Sequence, residues 1–107
     1  MKAILIDVVE KTIKEVELKG DFLTNCYKLL KCRVIEVAAE IDDNTIWVDE
    51  EGYCHIPMGY FRVIGYNQIF SGNGLVVGYD RTKDENKDCS IGVEDVRDLV
   101  TFVEEVC

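Results

Sequence analysis

The stretch GYNQIFSGNGLVVGYD, residues 65–80, decides which class of fold this chain can adopt. A glycine-rich loop that binds a nucleotide phosphate lies between a strand and a helix, because free N–H groups at the helix N-terminus hold the anion. Here Gly72-Asn73-Gly74 is followed at once by the strand-like run Leu75-Val76-Val77, and no Lys-Ser or Lys-Thr pair completes a Walker loop. We therefore interpret the glycines as a turn that leads into a strand over residues 75–80. Gly78, inside that strand, indicates a bulge or a close backbone approach.

Further strands are predicted on the N-terminal side of this stretch. Residues 2–7 and 12–18 form two apolar, β-branched runs separated by a short turn, which is typical of a β-hairpin, and the charged second run suits a sheet edge. The nearly continuous apolar run over residues 32–41 predicts a central strand. Turn residues at 42–44 then lead into a strand over residues 45–52, and a short strand is predicted around residues 61–64.

Two amphipathic stretches predict helices. The first runs from Phe22 to about Lys31 with Asp21 as its N-cap, and the second runs over residues 90–106 with Ser90 as its N-cap, after a charged loop at 84–88. The order of elements and the short connections predict one α+β domain over residues 1–107. We expect a mainly antiparallel β-sheet with the two helices packed on one face, as a two-layer sandwich.

The charge of the chain restricts its partners. The formal net charge is −9, from 21 acids and 12 bases, and the excess of acid lies after residue 40. Nucleic acids and anionic membranes bind basic surfaces, so neither is expected as a direct partner. The apolar run at the N-terminus is broken by Asp7 and is too short for a signal peptide or a membrane span. These features favour a cytoplasmic protein.

The densest group of aromatic residues lies between positions 53 and 70, beside several polar side chains. Such a group forms either the core of a sheet or a binding surface, because aromatic and Arg side chains dominate protein interfaces and ligand pockets. We take this segment, with one further arginine, as the candidate binding region: Tyr60, Arg62, Tyr66, Asn67, Gln68 and Arg81.

Neither a metal site nor a cofactor site is predicted. The sole histidine, His55, is adjacent to Cys54, so the two side chains point to opposite faces of a strand and do not readily share a metal ion. A nucleophilic pair of His55 with Cys32 or Cys89 from another part of the chain is a minor alternative. The five cysteines have irregular spacing and no secretion signal accompanies them, which argues against a disulfide framework.

Several of these motifs resemble a known family. MKAILID, EVEL, WVDEEG, GYNQ, SGNGLVVGYD and SIGVEDVRDLVTF occur in this order between Met1 and about Val103. The order resembles that of small phage proteins, with copies in bacterial mobile elements, which form a domain of unknown function. The chain departs from their pattern at Asn67, where proline is usual, and again after Asp80. The resemblance implies a role inside an infected bacterium and implies no catalytic residue.

Three functions are compatible with these observations. The leading hypothesis is a non-enzymatic phage accessory protein in the host cytoplasm that binds a host protein, such as a defence component, through residues 60–70. Its acids would attract a basic partner or mimic nucleic acid. The first alternative is a small-molecule or nucleotide binder with Arg62 and Arg81 as phosphate contacts. The second is a thiol-dependent enzyme, and a homodimer through the strand at residues 12–18 is a further possibility.

Overall fold

A computed structural model describes residues 1–52 and 58–104, and its strands form two antiparallel sheets. The strands of the larger sheet are β1 (Lys2–Asp7), β2 (Thr12–Glu17), β3 (Ile35–Ile41), β4 (Asn44–Asp49), β7 (Gly74–Asp80) and β8 (Glu85–Lys87). Their order in the sheet is β2-β1-β7-β4-β3, and β8 pairs with the end of β7. The strands of the smaller sheet are β5 (Tyr60–Val63), β6 (Ile69–Ser71) and β9 (Val100–Val103), in the order β6-β5-β9.

The glycine-rich stretch supplies the central strand of the larger sheet. Leu75, Val76 and Val77 of β7 are fully buried, because side chains on both faces of this strand pack against other layers. Gly72 occupies the turn before the strand with φ +92°, as predicted. A Cβ atom at Gly78 would lie 2.2 Å from the carbonyl oxygen of Asp88, so the predicted close backbone approach is confirmed.

The two helices are α1 (Phe22–Leu30) and α2 (Val93–Leu99). The predicted cap of α1 is confirmed, since the Asp21 carboxylate accepts a hydrogen bond from the Thr24 N–H at 2.9 Å. Cys26 and Leu30 of α1 pack with Leu5 and Leu75, on one face of the larger sheet. Helix α2 and the smaller sheet pack on the opposite face, in the cluster that contains the following buried residues: Ile4, Ile6, Val76, Phe61 and Val96.

The α+β class and the mainly antiparallel sheet are thus confirmed, but the layering differs from the prediction. The helices lie on opposite faces of the larger sheet, and the smaller sheet adds a further layer to the α2 side. An apolar stripe shows that one side of a helix is buried, but it does not show which face of the sheet the helix covers.

Three local predictions were also wrong. The second helix ends at Leu99, and the residues that follow it form β9, because this β-branched segment pairs with β5 along its whole length. The N-cap is Gly92, whose N–H donates to the Asp95 carboxylate, whereas Ser90 bonds to the side chain of Asn44. The charged loop contains the strand β8.

β3 is an edge strand rather than the predicted central strand. A bulge between Val37 and Ala39 breaks the alternation of the strand, so that Ala38 and Ala39 both pack against the same cluster. The bulge explains why the adjacent residues Ala38 and Ala39 are both apolar. Val37, before the bulge, is 44% exposed on the other face.

Candidate functional site

Tyr66 joins the two sheets at the edge of the larger one. The chain leaves β5 through a turn in which the Tyr66 N–H donates to the Val63 carbonyl at 3.1 Å, and Gly65 takes the positive φ (+92°) that a type II turn requires at its third residue. The Tyr66 hydroxyl accepts a hydrogen bond from the Glu40 N–H at 2.9 Å and donates to the Glu40 carbonyl at 3.2 Å. The phenol therefore covers backbone groups of the edge strand β3 that would otherwise face solvent.

Three open cavities lie around this junction. The first, which we call the Arg62 cavity, has a volume of about 450 Å³ and is lined by Arg62, Val63, Ile64, Gly65, Tyr66, Asn67 and Thr101. The second, the Arg81 cavity, measures about 430 Å³ and is lined by Glu40, Asp42, Asp43, Thr45, Tyr66, Tyr79 and Arg81. The third, the Trp47 cavity, measures about 470 Å³ and is lined by Val37, Glu40, Thr45, Trp47, Tyr79, Asp84, Glu85 and Asn86.

The Arg62 cavity brings together a cation and several uncharged polar groups. Arg62 lies in the middle of β5, directly opposite Thr101 of β9 in the register of the smaller sheet. Asn67 is exposed in the loop that follows β5, and the neighbouring Ile64 is 66% exposed. Among the residues that the structure describes, no acid lines this cavity, in a chain that has 21 acids.

Acids from two hairpins meet at the other two cavities. The Asp43 carbonyl accepts a hydrogen bond from the Tyr79 N–H at 2.8 Å, and the Asp43 carboxylate lies 3.7 Å from the Arg81 guanidinium. The turn of β3 and β4 therefore lies beside the hairpin of β7 and β8. We call the exposed acids at these turns the acidic end of the sheet: Glu40, Asp42, Asp43, Asp84 and Glu85.

The Trp47 cavity combines this acidic end with an apolar floor. Trp47, Val37 and Tyr79 lie on the face of the larger sheet that α1 covers only in part. The Phe22 ring of α1 packs edge-on against Trp47, with 6.0 Å between the ring centroids. The buried indole Nε1 of Trp47 has no hydrogen-bond partner among the described residues. Aromatic surface beside carboxylates suits a cationic, partly apolar ligand.

The six candidate residues are only partly brought together. Arg62, Tyr66 and Asn67 share one cavity, and Tyr66 shares another with Arg81, so the two arginines do not converge on one ligand. Gln68 lines a separate small recess beside Asp49 and Phe70. Tyr60 is half-buried on β5. The other aromatics of the segment divide similarly, since Phe61 and Phe70 are buried core residues whose rings lie 5.4 Å apart.

Most residues that line these cavities are not among the six candidates from the sequence, and Thr101 and Tyr79 are two of them. The sequence pattern predicts a helix at Thr101, so no sequence signal places it opposite Arg62. Tyr79 did carry a signal, because it follows Leu75 and Val77 at the spacing of two that places residues on one face of a strand.

Burial of the described cysteines favours the neutral thiol over the thiolate. Burial raises the pKa of the Cys26 thiol to about 12 and also raises the pKa of Cys32 and of Cys89. A reactive cysteine needs a lowered pKa, because the thiolate is the attacking species. Their suggested partner His55 lies outside the described residues, as does Cys54. Within residues 1–52 and 58–104, no group of three or more metal-ligating side chains converges.

Comparisons with known proteins give a family and no function. The DUF3846 domain, a domain of unknown function, matches residues 1–103. The chain belongs to this family. The DUF3846 assignment confirms the resemblance to a domain of unknown function. No curated protein and no solved structure matches this DUF3846 chain. Neither described helix is long and apolar enough to cross a membrane.

Proposed function

We propose that this DUF3846 chain is a non-enzymatic accessory protein of a phage or mobile element, which binds and modulates a host protein in the bacterial cytoplasm. The observation that supports the proposal is the acidic end together with the aromatic side chains beside it. Glu40, Asp84 and Glu85 border the cavity in which Trp47 and Tyr79 lie. A phage or mobile-element origin is supported by the order of sequence motifs and not by the fold.

The partner that fits this surface is a basic segment of a protein. Lysine or arginine side chains of the partner would pair with the carboxylates, and their aliphatic stems would cover the ring of Trp47. Long-range attraction between the net charge of −9 and a basic partner would accelerate association at low salt. This location moves the proposed contact from residues 60–70 to the neighbouring acidic end, with Tyr66 at the boundary between them.

The experiment is a pull-down of tagged protein from host lysate under reducing conditions, with bound proteins identified by mass spectrometry. The test variant combines Asp84→Asn with Glu85→Gln, because Asp84 has a positive φ (52°) that asparagine also tolerates. The matched control combines Glu94→Gln with Asp98→Asn, two exposed acids on α2. We expect one stoichiometric host protein to bind the wild type and the control and to be lost from the test variant.

Two results would contradict the proposal. Equal capture by the test variant and the control would remove the acidic end from the contact. A lysate that yields no stoichiometric protein for the wild type would argue against a host-protein binder. If the partner is found, competition by duplex DNA distinguishes nucleic-acid mimicry from ordinary protein recognition, because a mimic and DNA would occupy the same site on the partner.

A further inference from the structure

Arg62 differs from the other three arginines of the chain. Each of the other three lies beside a carboxylate: Arg33 at 2.9 Å from Glu51, Arg97 at 3.3 Å from Glu94, and Arg81 at 3.7 Å from Asp43. Arg62 makes no ion pair and no side-chain hydrogen bond with any residue in the described part of the chain. Its guanidinium group is therefore free to bind an anion from outside.

The described residues around Arg62 supply hydrogen-bond donors and no carboxylate. The hydroxyl of Thr101 lies on the neighbouring strand, directly opposite Arg62 in register, and the Asn67 side chain lines the same cavity. In the described part of the chain, the backbone N–H groups of Gly65 and Asn67 make no hydrogen bond. A guanidinium group with hydroxyl, amide and backbone donors is the set that recognises phosphate oxygens.

An apolar surface adjoins these donors. Ile64 is 66% exposed, and the Tyr66 ring is held in place because its hydroxyl bonds both backbone groups of Glu40. A fixed aromatic ring is a stacking surface for a planar group. The cavity volume of about 450 Å³ lies in the range of small-molecule sites.

We propose that the Arg62 cavity binds a nucleoside phosphate. The phosphate lies against Arg62 and Thr101, and the base or the ribose packs on Ile64 and Tyr66. Arg81 takes no part, because it lines the Arg81 cavity and pairs with Asp43. This site adjoins the acidic end at Tyr66, but Asp84 and Glu85 do not line it, so it does not depend on the host-protein contact proposed above.

The test is a titration of isotopically labelled protein with inorganic phosphate and with nucleoside mono- and diphosphates, followed by amide NMR shifts. We expect a nucleoside phosphate to shift the amide signals of Gly65, Asn67 and Thr101, and to bind at least tenfold more tightly than inorganic phosphate. Arg62→Gln should weaken this binding about tenfold or more, as expected for the loss of a charge-assisted contact. The matched control Arg81→Gln should leave it within about twofold of the wild-type affinity.

Three outcomes would overturn the proposal. The first is a wild-type protein whose Gly65, Asn67 and Thr101 amide signals do not shift with millimolar nucleotide, a result that requires no variant. The second is equal weakening by Arg62→Gln and Arg81→Gln, which would indicate a general charge effect. The third is equal affinity for inorganic phosphate and for every nucleotide, which would exclude the nucleoside. The Asp84→Asn/Glu85→Gln variant should still bind the nucleotide, so the failure of one proposal is distinguishable from the failure of the other.

Discussion

The Tyr66 hydroxyl bonds both backbone polar groups of Glu40, with 2.9 Å to the nitrogen and 3.2 Å to the oxygen. Glu40 lies on β3, whose outer side is an edge of the larger sheet. Unpaired backbone groups at such an edge are a template for pairing with another chain. The Tyr66 side chain, from the loop between β5 and β6, covers those of Glu40 here. The same contact fixes the ring that lies between the Arg62 and Arg81 cavities.

Tyr66→Phe should lower the free energy of unfolding by about 1 kcal/mol, because it removes the hydroxyl and leaves the ring. The same variant should speed hydrogen exchange at the Glu40 amide. Urea denaturation and amide exchange measure the two effects. Tyr27→Phe is the control, since the side chain of Tyr27 lies exposed on α1 and makes no hydrogen bond in the described part of the chain. Unchanged exchange at Glu40 in Tyr66→Phe would contradict the assigned contact.

Gly78→Ala should destabilise the protein by about 1–3 kcal/mol, since the new methyl group would overlap a backbone oxygen that cannot rotate away. The added carbon would lie 2.2 Å from the Asp88 carbonyl oxygen. Gly92→Ala is the matched control, because its nearest neighbour is the Asp95 carboxylate at 3.7 Å. Thermal unfolding of the two variants checks this expectation. A Gly78→Ala variant as stable as the wild type would show that glycine is not required at position 78.

Asn73→Ala should lower the free energy of unfolding by about 1–3 kcal/mol, because it leaves a buried backbone donor without an acceptor. The Asn73 side chain is 4% exposed, accepts from the Val8 N–H at 3.0 Å and donates to the Leu29 carbonyl at 3.2 Å. It ties the end of α1 to the turn after β1. Asn67→Ala is the control and should be nearly neutral in urea denaturation, because Asn67 is exposed. A neutral Asn73→Ala would show that water replaces these bonds.

Stability should fall as the pH rises above 9, in part because of Cys26. Burial raises the pKa of this thiol from its ordinary value of 9.0 to about 12. Below pH 9 the Cys26 thiol is neutral in the folded and in the unfolded protein. Between pH 9 and 12 only the unfolded protein releases the thiol proton. At pH 10, the ionisation of Cys26 in the unfolded state should have lowered the free energy of unfolding by about 1 kcal/mol.

The measurement compares unfolding of the wild type and Cys26→Ala between pH 8 and pH 11. The variant should be less stable at pH 8, because a buried group is removed, but its stability should decline less steeply with pH. Only the slopes of stability against pH are compared between the two proteins, so the contributions of the titrating groups that they share cancel. Parallel curves would show that the folded Cys26 ionises near its ordinary pKa.

The sequence indicated the class of fold, but not how the candidate residues are grouped in space. Arg62 and Asn67 were identified by residue type and do line one cavity. Arg81, assigned to the same ligand, lies across Tyr66 in another cavity. Their separation depends on how the loop after β5 crosses the sheet edge, and residue type carries no information about that path.

The sequence by itself determined the local elements with strong patterns. These are the β1–β2 hairpin, α1 with its Asp21 cap, and the strand after Gly72-Asn73-Gly74. Each has a signal within a few residues of the chain, in the hydrophobic period, the cap residue or the turn residues.

The tertiary structure alone decided the rest. Val100–Val103 continues the apolar pattern of α2 but becomes a strand, since β5 supplies the backbone partners that a helix would otherwise supply internally. The same applies to the opposite placement of the helices and to the meeting of the two acidic hairpins. All three depend on residues far apart in the chain, which come together only when the packing of the core selects one arrangement of the layers.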